Sequence, residues 1–392
     1  MTNMKTTKEP ALNRSESVTA PQESPLVMHV RVVSGTGGGP DKTILNSPRF
    51  LSELGYRSVC VYLRDPRDDG FSVLARRAAA RQAPIEAVDD FGIRDIGIVS
   101  RMRDLVERYQ PTIWHGHDYK SNLLGLILRR RHPMELVTTV HGWVHKTWKT
   151  PLYYFLDRRC LPRYQQVICV SQDLYDDCLR IGVPESRLSL IDNAIALDDY
   201  SDQQDSGVAK SQLGFPPEIP LVVAVGRLSY EKGFDLLIQA VANLIDSGEK
   251  VSLAIAGDGA ERAALQGLID ATGHGDSIRL LGFVDDPRRV YQAADLYALS
   301  SRREGLPNVV LEAMAMGVPV LATNVAGMPT LLQQDVNGCL IEPDNLDQLQ
   351  SELLRLLGDA DTRQRLSAAA RKTIEQRFSF RRRMEKVVRT YK

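Results

Sequence analysis

Short runs of apolar residues alternate with amphipathic stretches along most of this chain. The runs are rich in β-branched residues, as in LVMHVRVV and SVCVYLR. They are separated by stretches of about 10 to 15 residues with apolar positions at helical spacing. This alternation is typical of βα units that build a parallel sheet. It begins at Leu26, stops in a polar segment and begins again at Leu221. The pattern predicts an α/β fold with two similar, doubly wound domains that face each other across a cleft.

The same pattern predicts the element and domain boundaries. Strands are expected at 26–33, 58–64, 112–115, 136–140 and 166–170, and then at LVVAVG, VSLAIAG, IRLLGF, LYALS and VPVLAT. Residues 198–220 are polar and carry three prolines within five positions, which indicates an interdomain linker. We therefore expect a disordered tail over 1–25, a first domain over 26–200, a linker over 201–220, a second domain over 221–375 and a last helix over 376–392.

Composition narrows the class of protein. Apolar residues make up 43% and charged residues 25% of the 392-residue chain, and 49 Lys and Arg residues balance 49 Asp and Glu residues. A net charge of zero lacks the basic excess that is typical of nucleic-acid binders. The cysteines show no metal-binding spacing, no apolar stretch is long enough to span a membrane, and the N-terminal residues lack a secretory signal. We expect a cytoplasmic globular protein with no nucleic-acid partner.

The segment GRLSYEKG, residues 226–233, follows the predicted strand LVVAV. Ligands of α/β proteins bind at the carboxyl ends of parallel strands. Arg227 and Lys232 place two cations in one turn, and flanking glycines such as Gly226 allow a ligand to approach the backbone. The segment is therefore a candidate diphosphate site, and a solvated surface turn is the alternative.

A second candidate, EGLPNVVLE, follows the strand LYALS. Pro307 suits the first position of a helix, so Glu304 lies in the loop and Glu312 lies within the helix. Carboxylates accept hydrogen bonds from vicinal hydroxyls, and the helix N-terminus between them offers N–H groups to phosphate. One carboxylate could hold a sugar and the other a ribose. The alternative is a capping carboxylate and an ordinary helical glutamate, although Glu312 stands beside an apolar run where a charge needs a partner.

The first domain carries weaker signals. The glycine-rich segment GGGPD, residues 37–41, opens a predicted helix, which is the placement of a phosphate-approach loop. The motifs WHGHD and TVHGW end two successive strands, so His117, Asp118 and His141 point to one sheet edge. These residues lack the further donors of a zinc site, so no metal is predicted. A core role is the alternative for His117, and His141 is the better candidate for contact with a ligand.

The segments GRLSYEKG, AGDGAER, LLGFVDD and EGLPNVVLE, in this order, resemble those of retaining, nucleotide-sugar-dependent glycosyltransferases of the GT-B fold, family 4. The similarity extends from about Leu26 to the C-terminus and includes GGGPDKT, HGHDYKSN, VHGW and VSQDL. It implies two Rossmann-like domains, a donor site in the second, an acceptor site mostly in the first, and a last helix that crosses back to the first. It also implies transfer of a hexose-type sugar from a UDP- or GDP-sugar to a saccharide or lipid-linked acceptor in polysaccharide or glycolipid synthesis, without a metal or other cofactor.

The resemblance implies a role for each matching residue. Arg227 and Lys232 would clamp the donor diphosphate, Glu304 would contact the donor sugar, Glu312 would bind the ribose, and His141 would lie beside the transferred sugar. The backbone of the donor pocket is implied at Phe283 and Val284 for the base, at Gly38 and Gly39 from the first domain, and at Gly226, Gly305, Leu306, Pro307 and Asn308. On the acceptor side, the expected residues are His117 and Asp118.

Two positions depart from the family pattern. Ala194 follows Asn193 where glycine is usual, and Thr330 stands where an acidic residue is common. We expect the first change to alter only a turn and the second to affect donor preference.

An aromatic and basic stretch follows His141, with members Trp143, Lys146, Trp148, Lys149, Tyr153, Tyr154 and Phe155. The basic clusters that accompany it are Arg76, Arg77, Arg81 and Arg129 to Arg131. Together they suggest peripheral contact with the inner face of the cytoplasmic membrane. An inward-packed helix with solvated charges is the alternative.

Two other functions are compatible with the same motifs. A sugar-nucleotide 2-epimerase shares the two-domain architecture, but it needs acid and base groups beside the sugar, and the spacing of the two glutamates favours the transferase. A non-catalytic nucleotide-sugar-binding subunit would have no chemical need for all of Arg227, Lys232, Glu304 and Glu312. The transferase is therefore the leading prediction.

Overall fold

Two parallel β-sheets with interleaved helices form the protein, according to a computed structural model that describes residues 24–92, 94–142, 150–201, 204–325 and 327–391. The strands are β1 (Leu26–Val33), β2 (Arg57–Arg64), β3 (Ile85–Asp89), β4 (Ile113–Gly116), β5 (Glu135–Val140), β6 (Gln166–Cys169), β7 (Leu188–Leu190), β8 (Leu221–Val225), β9 (Ser252–Ala256), β10 (Ile278–Gly282), β11 (Leu296–Leu299), β12 (Val320–Thr323) and β13 (Cys339–Ile341). The helices are α1 (Gly39–Glu53), α2 (Phe71–Ala80), α3 (Ile98–Tyr109), α4 (Tyr119–Leu128), α5 (Thr150–Cys160), α6 (Gln172–Arg180), α7 (Ser206–Gln212), α8 (Phe234–Asp246), α9 (Arg262–Thr272), α10 (Arg288–Gln292), α11 (Asn308–Ala315), α12 (Met328–Leu331), α13 (Leu346–Gly358), α14 (Ala360–Arg377) and α15 (Phe380–Val388).

The first sheet has seven strands in the order β3-β2-β1-β4-β5-β6-β7. Strand order reverses between β1 and β4, which are parallel neighbours with His29 opposite His115. In an open parallel sheet, a crevice for ligands forms outside the carboxyl ends of the strands at such a reversal. The loops that follow Val33 and Gly116 therefore lie at the ligand edge of the first domain.

The second sheet repeats this design with six strands in the order β10-β9-β8-β11-β12-β13. Its strand order reverses between β8 and β11, where Val223 lies opposite Tyr297. The candidate segment GRLSYEKG follows β8, and the candidate segment EGLPNVVLE follows β11 and continues into α11. The predicted α/β fold with two doubly wound domains is confirmed.

Helix α8 shows why the apolar periodicity predicts the elements of the second domain. Phe234, Leu237, Ile238 and Val241 recur at helical spacing, and all four are buried in one cluster with strands β8 and β9. Such a stripe is expected of a helix that covers one face of a sheet. Because a parallel sheet is covered on both faces, its central strands read as continuous apolar runs.

The last helix, α15, packs on the first domain although it follows the second domain in sequence. Phe380 and Met384 lie in a buried cluster with Phe50, and the rings of Phe50 and Phe380 have centroids 5.0 Å apart. The chain crosses where Phe380 N donates to Ile195 O (2.8 Å) and Ile195 N donates to Phe378 O (2.9 Å). This extended pairing ends α14 at Arg377 and starts α15 at Phe380, so the last helix begins four residues later than its predicted start at 376.

The sequence pattern does not predict three of the strands, namely β3, β7 and β13. Each is the edge strand of its sheet, and β7 and β13 have only three residues each. A strand of this length carries too few positions for a periodicity to be visible.

The predicted linker contains helix α7, and Lys210 of this helix is buried. Lys210 Nζ pairs with Asp295 Oδ2 at 2.6 Å and donates to Pro217 O (3.2 Å) and Ile219 O (3.1 Å). Asp295 directly precedes β11, so this ion pair attaches α7 to the second sheet. Polar composition alone cannot reveal such a tertiary contact within the segment predicted as an interdomain linker.

Parts of two expectations lie outside the described residues. These are residues 1–23 of the predicted tail, and residues 143–149 together with the side chain of Tyr153 in the aromatic and basic stretch. Among the helices that the structure describes, none combines the length and the apolar character of a membrane span.

Candidate active site

Lys232 and Glu304 meet at the carboxyl edge of the second sheet. Lys232 ends the single helical turn after β8, and Glu304 lies in the loop after β11. Their side chains form an ion pair, and the Glu304 carboxylate also accepts a hydrogen bond from Ser301 Oγ (2.7 Å). A cation and a carboxylate from two different loops are therefore held together at the switch point of strand order.

Two glycines shape these loops. Gly233 has φ of +61°, and a Cβ at this position would lie 2.1 Å from Ser300 O. Gly257, after β9, has φ of +152°, and its Cβ would lie 1.7 Å from Gly226 O. Only glycine permits this close backbone packing, which gathers the loops after β8, β9 and β11 at one point.

Arg227 lies five residues before Lys232 on the same turn, but its side chain is exposed. It makes no hydrogen bond or ion pair with any residue that the structure describes. An exposed guanidinium at a strand end can bind an anion through two parallel hydrogen bonds. The second candidate cation is therefore available to a ligand.

Glu312 is fully buried, about one turn into α11. Its carboxylate accepts a hydrogen bond from the Tyr291 hydroxyl (2.9 Å) and forms an ion pair with Lys42 of α1, in the first domain. Burial raises the pKa of Tyr291, and the negative charge of Glu312 adds to this effect. A buried carboxylate needs such partners, and here one of them comes from across the cleft.

The N-termini of α1 and α11 face each other across the cleft. Asn308, the first residue of α11, donates from Nδ2 to the carbonyl oxygen of Gly39, the first residue of α1, at 3.1 Å. The first N–H groups of a helix have no partner within the helix, so such ends bind anions. Pro307 is the N-cap of α11 and not its first helical residue, so the helix begins one residue later than predicted.

The N–H group of Gly38 is already engaged. It donates to Asp41 Oδ2 (2.6 Å), and Asp41 also pairs with Arg31 at 2.9 Å. A Cβ on Gly38 would touch only Pro40, at 3.9 Å, so the space beside this glycine is open. A ligand can approach Gly38 because of its missing side chain, and not through its N–H.

The residues expected to contact the nucleotide base lie at the same edge of the second sheet. Phe283 is 49% exposed directly after β10, and Val284 packs against the core of the second domain. Gly305 continues the loop from Glu304, and Leu306 is buried behind it.

The two departures from the family pattern have separate surroundings. Asn193 donates from Nδ2 to Leu306 O (3.1 Å), which ties the segment after β7 to the loop after β11, and the following residue, Ala194, is buried. Thr330 is exposed, and its Oγ1 donates to Gly327 O (2.6 Å) within the first turn of α12. Thr330 therefore supplies a local helix contact where the family commonly has a carboxylate.

His117 and His141 lie at the ends of β4 and β5. His117 Nδ1 is 3.0 Å from His141 Nε2, and the ring centroids are 5.3 Å apart. Burial lowers the pKa of both imidazoles well below 6.5, so both are neutral near pH 7. His117 is buried and His141 is half-buried, so of this pair His141 is the one that retains surface for a ligand. The structure favours the core alternative for His117.

Asp118 does not offer a free carboxylate to an acceptor. Its Oδ1 accepts hydrogen bonds from Lys120 N (3.0 Å) and Ser121 N (2.9 Å), and its Oδ2 accepts one from Val32 N (2.6 Å). These bonds cap α4 and tie it to β1. The structure gives Asp118 a role that holds the loop after His117 in place, and its acceptor-side contact stays a prediction.

Three of the histidines could in principle hold a metal ion. Ligand atoms of His29, His115 and His117 lie within 4.8 Å of one another. However, both ring nitrogens of His115 are occupied, by Tyr391 Oη (2.6 Å) and Thr139 Oγ1 (2.8 Å). The rings of His115 and His117 stack with planes 13° apart, so their nitrogens do not converge on one point. The cluster fits a hydrogen-bonded array better than a tetrahedral zinc site.

Lys42 and Tyr291 are site residues that sequence reasoning missed. Lys42 lies in the segment GGGPDKT, where a cation in the first turn after a glycine loop is a usable signal. Tyr291 carries no such signal, because only the tertiary fold brings it to Glu312. The neighbouring Arg302 has a structural role, since it forms a bidentate pair with Asp235 at 2.8 Å that raises the pKa of the guanidinium.

The fold and this site define a glycosyltransferase of the GT-B class. A crystal structure of an Anabaena protein, HepE, with UDP and glucose has a TM-score of 0.80 at 21% identity, and the alignment covers 93% of this chain and 99% of that one. A glycosyltransferase from Rickettsia africae has a TM-score of 0.79 at 17% identity, covering 94% of this chain and 98% of that one.

Family matches extend over both domains. Residues 37–199 match the family described as Glycosyltransferase Family 4, and residues 206–373 match Glycosyl transferases group 1. The chain belongs to this glycosyltransferase family, as the sequence motifs predicted, and it is a transferase enzyme.

Several relatives are glycosyltransferases, and among them are two that are named for different acceptors. A glycosyltransferase of Methanocaldococcus jannaschii is 28% identical over 301 residues, 73% of this chain and 76% of the relative. The D-inositol 3-phosphate glycosyltransferase of Xylanimonas cellulosilytica is 30% identical over 278 residues, 66% of each chain. The UDP-Gal:alpha-D-GlcNAc-diphosphoundecaprenol alpha-1,3-galactosyltransferase of Escherichia coli is 25% identical over 314 residues, 76% of this chain and 81% of the relative.

Proposed function

We propose that this chain is a retaining hexosyltransferase that moves a sugar from a UDP- or GDP-sugar to a saccharide or lipid-linked acceptor in polysaccharide or glycolipid synthesis. The observation that carries the proposal is the convergence, at one switch point, of Arg227, Lys232 and Glu304 with the N-terminus of α11. This set offers cations to a diphosphate and a carboxylate to sugar hydroxyls.

The chemical step requires charge stabilisation on the leaving group. The bond between the anomeric carbon and the diphosphate oxygen breaks, the acceptor hydroxyl oxygen bonds to that carbon, and the hydroxyl proton passes to the departing diphosphate. Positive charge develops on the sugar ring and negative charge on the diphosphate. Preorganised cations act most strongly where such charge develops, so Arg227 and Lys232 are the proposed catalytic cations. Retention is compatible with front-side attack and with a short-lived ion pair.

No metal is needed in this proposal, because two cationic side chains and two helix N-termini supply the positive field that a metal would otherwise provide. Glu304 would hold a hydroxyl of the donor sugar, Glu312 would hold the ribose, and His141 would lie beside the transferred sugar.

Nucleotide binding is the first test. The melting temperature is measured with UDP, GDP and ADP, each with and without EDTA, for the wild type, Arg227→Ala and Lys232→Ala. We expect one diphosphate to stabilise the wild type equally with and without EDTA, and this stabilisation to be lost in both variants. Lys250→Ala is the matched control, because Lys250 is an exposed lysine before β9, at the amino end of that strand.

Turnover with the matching nucleotide sugar then tests catalysis. Lys232→Ala should lower kcat on the order of 10² to 10³-fold, as when one donor to a developing anion is removed. Near-normal turnover would overturn the clamp assignment, and loss of stabilisation by EDTA would overturn the metal-free proposal. An epimerised nucleotide sugar formed without acceptor would favour the epimerase, and nucleotide binding with no reaction would favour a binding subunit.

A lipid-linked acceptor is supported by the Escherichia coli relative, whose name states a diphosphoundecaprenol acceptor. In this chain, large apolar side chains are exposed on two neighbouring helices of the first domain: Leu123 and Ile127 on α4, and Phe155 on α5. The helices are joined by a hydrogen bond from Asn122 Nδ2 to Asp157 Oδ1 (2.7 Å). Exposed arginines flank these side chains, at positions Arg129, Arg130, Arg131, Arg158 and Arg159.

We propose peripheral contact of this face with an anionic bilayer, because apolar side chains ringed by cations suit such a surface. Flotation is measured with vesicles of phosphatidylcholine alone and with phosphatidylglycerol added. Binding is expected only with the anionic lipid, and Arg129→Glu combined with Arg130→Glu should abolish it. Lys250→Glu, on the second domain, is the control for charge reversal. Equal flotation with both lipids, or none, would contradict the proposal.

A further inference from the structure

Four histidines form an array that runs from the core of the first domain to the cleft. His29 Nδ1 lies 3.1 Å from His117 Nε2, and His117 Nδ1 lies 3.0 Å from His141 Nε2. His115 stacks on His117, with ring centroids 4.5 Å apart. His141 is the member with exposed surface at the cleft, and the other three are buried.

Each imidazole of the array is neutral near pH 7. Burial lowers the pKa of His29 to about 3, and burial also lowers the pKa of the other three well below 6.5. A neutral imidazole has one N–H donor and one bare nitrogen that accepts. Each link in the array therefore has a direction, and the direction of one link determines that of the next.

The buried end of the array decides this direction. His29 Nε2 is buried and makes no hydrogen bond with any described residue. Buried N–H groups without an acceptor are rarer in proteins than acceptors without a donor. We therefore take Nε2 of His29 as the bare nitrogen, which leaves its proton on Nδ1, the atom that faces His117.

Two arginines act electrostatically on the array. Arg383, buried on α15, acts on His29, and its hydrogen bonds go to the carbonyl oxygens of Ile191 (2.9 Å) and Asp192 (2.7 Å). Arg31 and Arg383 both act on His141 at the other end, and Arg31 is paired with Asp41 at 2.9 Å. Arg383 acts on both ends of the array, so the direction is set by Nε2 of His29, which lacks a partner among the described residues.

We propose that His29 and His117 are positioning residues that hold His141 in the tautomer with its proton on Nδ1. His29 Nδ1–H donates to His117 Nε2, and His117 Nδ1–H donates to His141 Nε2. His141 then presents Nδ1–H as a donor to an oxygen of the bound donor substrate, and its Nε2 is not available to accept a proton. The tautomer of a histidine is set by the hydrogen bond at its other nitrogen. This inference deepens the proposed function and rests on it for the substrate contact.

Long-range ¹⁵N–¹H NMR on histidine-labelled protein reads the tautomers directly. The protein has seven histidines, and the signals of His141 are assigned by their loss in His141→Gln. We expect a protonated Nδ1 and a bare Nε2 in His141. A protonated Nε2, or comparable amounts of both tautomers in the wild type, would overturn the proposal.

Substitutions of His117 separate the hydrogen bond from packing. In His117→Asn the amide nitrogen takes the place of Nδ1 and still donates, whereas His117→Leu has no donor. We expect the Nδ1–H tautomer of His141 to persist in the first variant and to give way to a mixture in the second. If His117→Leu does not fold, His117→Gln replaces it in the experiment. The longer glutamine side chain places its amide where Nε2 was, and not where Nδ1 was. A single unchanged tautomer in His117→Leu or His117→Gln would overturn the array. His274→Asn, at a remote pair with Asp246, is the control.

Turnover gives a second readout. In His117→Leu, kcat should fall by about two- to tenfold with little change in KM for the nucleotide sugar, because only the fraction with the donor tautomer reacts. His117→Asn should retain more of kcat than His117→Leu. Equal kcat values in the two variants, despite different tautomers, would overturn the positioning role. If no variant transfers sugar, the NMR result still decides the array, and the missing transfer counts against the proposed function alone.

Discussion

Glu312 links the proposed donor pocket to the first domain, since its buried carboxylate is shared between Tyr291 and Lys42. We predict that Glu312→Gln lowers the unfolding free energy by about 2 kcal/mol, because a hydrogen bond to a charged group is lost. The affinity for the nucleoside diphosphate should fall at the same time, measured by calorimetry. Tyr291→Phe is the matched control: it removes one hydrogen bond to the same carboxylate but keeps the ion pair, so it should lower the unfolding free energy by less than Glu312→Gln does. Equal losses in the two variants would contradict the role of the ion pair.

Stability should depend on pH through the buried histidines. The pKa of His29 is about 3 in the folded protein and near 6.5 when unfolded, so between these values the unfolded chain binds a proton that the folded chain does not. Burial lowers the pKa of His115 and His117 in the same direction, and Arg383 adds to this for His29 and His115, as Arg31 does for His117. Unfolding is therefore favoured as the pH falls.

We predict that the unfolding free energy is unaffected by these groups above pH 7 and falls below pH 6.5, by about 1.4 kcal/mol per pH unit for each histidine. Denaturant titrations between pH 7.5 and 5 measure it. His117→Asn, which removes one of the titrating groups, should reduce the slope. A free energy of unfolding that does not change between pH 7 and 5.5 would contradict the burial of neutral histidines.

At the scale of elements, the turn after β8 depends on one backbone conformation. Gly233 combines a positive φ with a position where a Cβ would overlap Ser300 O. We predict that Gly233→Ala lowers the unfolding free energy by about 1 to 3 kcal/mol through local backbone strain and reduces nucleotide binding, because Lys232 moves with the turn.

Gly267→Ala is the opposite case within helix α9. No atom lies within 4 Å of the Cβ that it would add, and the backbone is helical. This substitution should stabilise the protein by about 0.5 to 1 kcal/mol. Denaturant unfolding of both variants tests the pair, and a Gly233→Ala protein as stable as the wild type would show that the turn can relax.

At the scale of the whole molecule, helix α15 joins the two domains. We predict that Phe380→Ala lowers the free energy of unfolding by about 3 to 5 kcal/mol, because it leaves a cavity beside Phe50. The loss should appear in the unfolding of the first domain, although the mutated residue lies at the end of the chain. Arg382→Ala, an exposed position on the same helix, should change little. Equal effects of the two substitutions would show that α15 does not hold the first domain together.

Several polar contacts join the two domains. Besides the Lys42–Glu312 pair, Arg77 pairs with Asp285 at 2.8 Å and Asn308 bonds to Gly39. Asp285 is substantially exposed, and such a pair contributes about 0 to 1 kcal/mol. Apolar packing also joins the halves, through α15 on the first domain and through Ile195 and Tyr200, which lie in the core cluster of the second domain.

Local sequence determined the elements and the motifs. The central strands of each sheet are visible in the sequence as apolar runs, because helices cover both of their faces. Helix α8 is visible because its buried residues recur at helical spacing. Arg227, Lys232, Glu304 and Glu312 are placed near strand ends by the motifs themselves, since each motif directly follows a strand.

Tertiary structure alone decided the partners of these residues. Lys42 and Glu312 are 270 positions apart, and no local pattern encodes their contact. The same is true of the hydrogen bond from Val32 N to the Asp118 carboxylate, of the ion pair that attaches α7, and of the contact between His29 and His117. Periodicity reports which face of an element is buried, whereas a pair between distant residues depends on strand order and register. Both are set by the packing of the whole chain, so they become visible only once the sheets are formed.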